Sequence, residues 1–149
     1  MKQIKEIRSE IVIEAPSEKV WSILMKFDAY SDWNPFIQNI SGDAKVNEKL
    51  RTFLKPPDAK GMKFKPRVVK VEKGREFRWL GHLFFPGIFD GEHIFEVIDQ
   101  GKQTVFVQRE EFKGLFSSLI LKNIGSKTQK GFEGMNSALK KLAEKKMEN

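Results

Sequence analysis

Apolar and polar residues alternate from Ile7 to Glu14. Ile7, Ser9, Ile11 and Ile13 fall on one side, and Arg8, Glu10, Val12 and Glu14 on the other, the pattern of a half-buried strand. The period then lengthens. In APSEKVWSILMKFDAY, Val20, Ile23, Leu24 and Phe27 recur at helical spacing, which predicts an amphipathic helix over 16–27. Pro16 suits its first position, and Glu18 lies at the positive end of its dipole. The next stretch, YSDWNPFI (30–37), reads as a corner. Pro35 disfavours helical geometry at Asn34 and ends a second short helix there. Asp32 or Asn34 can bond local backbone, while Tyr30, Trp33 and Phe36 peg the corner to the domain.

Alternation returns over Phe36–Gly42, Lys49–Leu54, Met62–Val71, Glu76–Leu83, Gly91–Asp99 and Gln103–Phe112. Two prolines make Pro56–Gly61 a connector. Glu72–Arg75 and Asp99–Lys102 read as Gly-containing turns, and Pro86–Gly91 as a loop. From Leu115 the period is helical again, with Leu119, Ile124, Thr128, Phe132, Met135, Leu139 and Leu142 along one side and lysines on much of the rest. This predicts one long helix or a kinked pair, running into a charged tail. Gly125, Gly131 and Gly134 lie inside it, each costing about 1 kcal/mol against Ala. A bend, or close approach of the backbone to a sheet, accounts for such glycines.

Hairpin-connected strands with helices at the ends define an α+β architecture. The arrangement is a curved antiparallel sheet of about six or seven strands wrapped around the C-terminal helix, with two short helices after the first strand. A sheet wider than one helix leaves room for a gap lined by Phe, Trp and Met.

Composition narrows the function. A chain of 149 residues is one domain. Thirteen Phe against a single Tyr favours either an oily core or a cavity, because Phe has no polar handle. There is no Cys, which excludes disulfides, thiolate metal sites and a cysteine nucleophile. The start has no apolar signal core, and no apolar run approaches the roughly 18 residues of a bilayer span. A cytoplasmic location is the default expectation, with transient membrane contact left open. The net charge of +7 attracts anions or serves solubility. Nucleic acid is not expected, for want of an aromatic–basic or zinc-finger signature. His82 and His93 have no metal-ligand spacing, phosphate-loop and serine-elbow motifs are absent, and no cofactor is expected. The sequence carries no signature of an oligomeric state.

Strand parity selects the candidate site. Phe77, Trp79 and Leu83 share a face. So do His93, Phe95 and Val97; Met62, Phe64 and Val68; and Phe106, Gln108, Glu110 and Phe112. With these faces inward, Phe64, Phe77, Trp79, Phe95 and Phe112 either fill a core or line a pocket. The last helix adds Leu119 and Met135, and Trp33 is placed at the cavity mouth. Glu110 is the sharpest candidate: if it points inward, it anchors a ligand or acts as an acid or base. Otherwise it faces solvent or pairs with an Arg. Its neighbour Glu111 points to the other face, so the two carboxylates cannot share a proton.

Three stretches carry a resemblance: IEAPSEKVWSILMKFDAYSDWNPFI, FRWLGHLFFPGIFDGEHIFEV and QREEFKGLF. With the order of elements they resemble the SRPBCC superfamily of polyketide cyclase/dehydrase-like and START-like helix-grip domains, over essentially the whole chain. The resemblance implies a cavity between sheet and C-terminal helix that holds a hydrophobic or amphipathic small molecule. It also admits a cyclase or dehydratase using an internal carboxylate, and a co-chaperone-like interaction module.

Overall fold

The computed structural model describes residues 5–83 and 85–145; the first four residues and the end of the charged tail, 146–149, lie outside the described residues. The elements run β1 (Lys5–Ile13), α1 (Ser17–Met25), a 3₁₀ turn (Phe27–Ala29), α2 (Tyr30–Trp33), β2 (Ile37–Ser41), β3 (Arg51–Leu54), β4 (Met62–Phe64), β5 (Arg67–Glu72), β6 (Glu76–Leu83), β7 (Phe89–Gln100), β8 (Gln103–Lys113) and α3 (Ser117–Ala143). The architecture is the α+β helix grip that the pattern implies.

The strands divide into two antiparallel sheets. One has the order β1-β8-β7-β6-β5 and the other β2-β3-β4. The reading of Met62–Val71 as one strand is corrected: Pro66 interrupts it and lacks a ladder N–H, so β4 pairs with β3 and β5 with β6. The bridge Lys49–Arg67 joins the two sheets. A bulge between Val68 and Lys70 sets Val68 opposite Trp79 and Val71 opposite Phe77, so both valines pack inward although three residues apart.

The corner after α1 is held as its residues suggest. Asn34 Oδ1 accepts from the N–H groups of Phe36 (3.0 Å) and Ile37 (2.9 Å), and Tyr30 donates its hydroxyl to the Leu24 carbonyl. Burial pushes the Tyr30 phenol far above its ordinary range.

The helix α3 is continuous rather than a kinked pair. Its second half sinks into the sheet, where Phe132, Met135 and Leu139 are inaccessible to solvent. Gly131 permits that depth, since a Cβ there would stand 2.6 Å from the Phe36 ring. The first half is less deeply covered, with Ser117 and Thr128 buried but Leu119 61% exposed.

On the outer face of the five-stranded sheet, Arg78 pairs with Glu76 and Glu92, and Arg109 with Glu6, Glu96 and Glu111. Ile94 sits between the two arginines in register and is fully buried although it faces outward. Arginine stems cover such a position while their heads stay wet. Burial acts to raise the Glu76 carboxyl, but hydrogen bonds from Arg78 and Lys70 outweigh it and hold the group below the usual carboxylate range.

Candidate ligand cavity

Cross-strand register arranges the inner face of the large sheet in rows. Phe77, Phe95, Gln108 and Ser9 form one row, and Trp79, His93, Glu110 and Ile7 the next; Gly81, Gly91 and Phe112 follow, and Leu83 and Phe89 close the series. The first row is packed solid. Phe95 lies 4.5 Å from His93, 5.4 Å from Trp79 and 6.0 Å from Phe77, centroid to centroid. The third row has no side chain at its β6 and β7 positions, because both are glycines, and only Phe112 stands in it. Packing thins beside the Gly81–Gly91 pair, and a cavity opens there.

The cavity encloses about 100 Å³. Trp79, Glu110 and Phe112 line it from the large sheet, Leu54, Met62 and Phe64 from the small sheet and its flank, and Ile124 and Thr128 from α3. Phe89 and Phe112 stack at 5.1 Å on its far side. A dry cavity of about 150 Å³ admits a benzene ring, so a larger guest needs wall side chains to move. Met62 and Ile124 are exposed at the mouth and have the freedom to do so.

Glu110 points inward, as its parity requires, with its carboxylate over the Gly91 backbone. A Cβ on Gly91 would fall 2.3 Å from Oε2 of Glu110, so this glycine makes the slot that the carboxylate occupies. Behind Glu110 stands a buried polar chain. Gln108 donates from Nε2 to Asn136 Oδ1 (2.9 Å), and Asn136 donates from Nδ2 to Ser9 Oγ (2.7 Å). The Phe132 carbonyl, 3.5 Å from Gln108 Nε2, fixes that amide's orientation. Oε1 of Gln108 is then left to accept from His93 Nε2 at 2.9 Å.

With Nε2 carrying its hydrogen, neutral His93 turns a lone pair outward at Nδ1. That nitrogen is buried without a hydrogen-bond partner and lies 3.6 Å from Glu110 Oε1. A proton placed between them satisfies both groups, and of the two only Glu110 lines the cavity. His82 lies at the rim, paired with Asp90 at 2.7 Å, and Asp90 also accepts from the Gly87 N–H.

Of the residues singled out by sequence, Phe64, Trp79, Glu110 and Phe112 stand in the cavity wall. Phe77, Phe95 and Met135 lie in the packed interior behind it, and Leu119 on the surface. Trp33 packs edge-on against Tyr30 at 5.2 Å, beside the core. His93, Gln108, Asn136 and Ser9 were not singled out as a unit. The available signal was that His93 and Gln108 share inward parity with Phe95 and Glu110, while Asn136 stands one turn beyond Phe132 on α3. Gly81 and Gly91 carried no such signal, because their pairing depends on register. Among the described residues there is no metal-ligand cluster, and no helix is long and apolar enough to cross a membrane.

Grip topology, a long closing helix and a cavity between them define a helix-grip domain. The chain belongs to the family described as polyketide cyclase/dehydrase and lipid transport, whose model matches residues 5–145. The aromatase/cyclase ZhuI from Streptomyces sp. R1128 has a similar structure, at 12% identity over 95% of this chain and 94% of that one, with a TM-score of 0.76. Norcoclaurine synthase from Thalictrum flavum, in complex with dopamine and hydroxybenzaldehyde, is similar at 17% identity, covering 98% and 91%, with a TM-score of 0.73. A START superfamily protein from Mycobacterium smegmatis gives 17% identity, 92% and 98%, and 0.68. At these identities the likeness is one of fold. No curated protein matches the sequence.

Proposed function

We propose that this protein binds a small hydrophobic or amphipathic molecule, lipid-like or polyketide-like, in the cavity between its sheets and α3. The observation that carries the reading is the contrast inside the cavity. Its wall is apolar at Phe64, Trp79 and Phe112 but carries the Glu110 carboxylate, behind which the unpartnered Nδ1 of His93 lies buried 3.6 Å from Oε1. A guest buries its apolar body against the rings and turns one polar group toward that carboxylate, the usual division of labour in small-molecule sites.

Extraction of the purified protein into organic solvent, followed by mass spectrometry, tests this. A stoichiometric small molecule is expected, absent from a Phe112→Glu variant of the same fold. Its absence from the wild type, together with failure to take up any hydrophobic compound offered in excess, would refute the reading.

The same geometry favours a second reading, a cyclase- or dehydratase-type reaction. Because Nε2 of His93 is committed to Gln108, a proton enters or leaves the ring at Nδ1, beside Glu110. Such a pair can move a proton to or from a guest held against it. Glu110→Gln would then abolish turnover while leaving uptake of the extracted molecule within a few-fold.

A further inference from the structure

The rim of the cavity carries a group of exposed apolar side chains. Leu115 is 78% exposed, Phe85 74% and Leu119 61%, and Phe116 is exposed as well. They form one patch. The N–H groups of Leu115 and Phe116 donate to the carbonyls of Gly87 (2.9 Å) and Ile88 (3.1 Å), which fastens the rim loop to the start of α3. Leu119 follows Phe116 one helical turn later. Leu83 and Phe89, at the two ends of that loop, line the cavity. Single exposed apolar residues are ordinary on a protein surface; a contiguous group beside an opening marks an interaction site.

Charge around the patch is one-sided. Residues 55–65 and 113–130, the two segments that flank the opening, hold eight lysines and one Asp, equal to the whole chain's net +7. No ion pair among the described residues uses any of these eight lysines. Elsewhere, Lys70 and Lys140 are paired with glutamates.

We infer that this rim docks on the surface of an anionic lipid bilayer. Leu115, Phe116, Leu119 and Phe85 enter the headgroup layer, and the surrounding lysines face the anionic headgroups. Apolar side chains flanked by Lys are the composition of an interfacial binder, and lysine stems lie along the apolar layer while their ammonium groups reach water and phosphate. A second copy of the chain does not fit as the occupant, since it would bring two unpaired lysine fields face to face. Docking in this orientation turns the cavity mouth toward the lipid, so that a hydrophobic guest crosses between bilayer and protein without passing through water. The docking itself requires no guest, and its test stands apart from the test of cavity binding.

Co-sedimentation of the full chain with phosphatidylcholine vesicles, with and without phosphatidylserine, provides the experiment. Binding is expected only with phosphatidylserine, weakening at high salt as exposed charges are screened. Lys113→Glu with Lys122→Glu is expected to lower the partition coefficient by more than about fivefold for each lysine lost. Leu115→Ser with Leu119→Ser is expected to lower it on the phosphatidylserine vesicles while circular dichroism stays unchanged, because both positions are exposed. Equal partition of wild type and charge-reversed protein would overturn the proposal, as would failure to sediment with phosphatidylserine. So would a dimer in vesicle-free solution that the two serine substitutions dissociate, which would make the patch a self-interface.

Discussion

Phe95→Ala is expected to lower the free energy of unfolding by about 3–5 kcal/mol, the range for deleting a fully buried aromatic ring. That is a large part of the roughly 5–15 kcal/mol that holds a domain folded. The ring is completely buried and has Phe77, Trp79, His93 and Phe106 around it. Neighbours fixed on two adjacent strands cannot close the void. Phe64, by contrast, is half-buried in the cavity wall. Phe64→Ala already borders empty space and is expected to cost under about 1 kcal/mol. Urea titrations of the two variants measure the difference. Equal midpoints would mean that the packed row and the cavity wall are not distinct, and that the glycine pair is not where packing stops.

The second large effect concerns the polar chain. Gln108→Leu keeps nearly the same volume but removes the acceptor for His93 Nε2 and the donor to Asn136. Two buried groups are then left unpaired, at about 1–3 kcal/mol each. The loss should reach roughly 2–6 kcal/mol by the same reckoning. Stability alone would not distinguish this from a packing defect, so the His93 ring is the second readout. In the wild type, ¹⁵N NMR should show Nε2 as the protonated nitrogen of the neutral ring. In Gln108→Leu that preference should disappear. Retention of the same tautomer in the variant would show that Gln108 does not orient His93.

Much of this arrangement was legible in the sequence because parity is a strong constraint. Every inward face read on β6, β7 and β8 is inward in the structure, including Glu110 beside Phe112. Parity, however, assigns a face and says nothing of position along it. Phe77 and Trp79 share a face, yet one lies in the solid row and the other in the cavity wall. The distinction comes from where the strands are in register with Gly81 and Gly91, which depends on long-range pairing. Leu119 shows the same limit on α3. Helical period places it on the apolar side, yet it is exposed to solvent, because period assigns a side of the helix and not what covers it. Phe89 and Asp90 read as loop for a local reason, since they lie between the breakers Pro86 and Gly91. In the fold they extend β7, and Gly91 makes room for the Glu110 carboxylate.

The polar chain escaped notice for a related reason. Ser9, His93, Gln108 and Asn136 come from β1, β7, β8 and α3, and each alone is an ordinary polar residue. Only the antiparallel order β1-β8-β7 and the depth of α3 bring them into line. Buried polar groups demand partners, so the nitrogen of this chain left without one, Nδ1 of His93 beside Glu110, is what turns a structural network into a candidate site.

Cavity binding is tested most directly by a ¹H–¹⁵N NMR titration with 2-naphthol. Its rings suit the Trp79 and Phe112 wall, and its hydroxyl can meet Glu110. Saturable shifts are expected at the amides of Gly81, Gly91, Glu110 and Thr128, with affinity falling about tenfold in Glu110→Leu for the loss of one hydrogen bond to a charged group. Shifts confined to the outer face around Arg78 and Ile94, or no saturable shift at all, would contradict binding in this cavity.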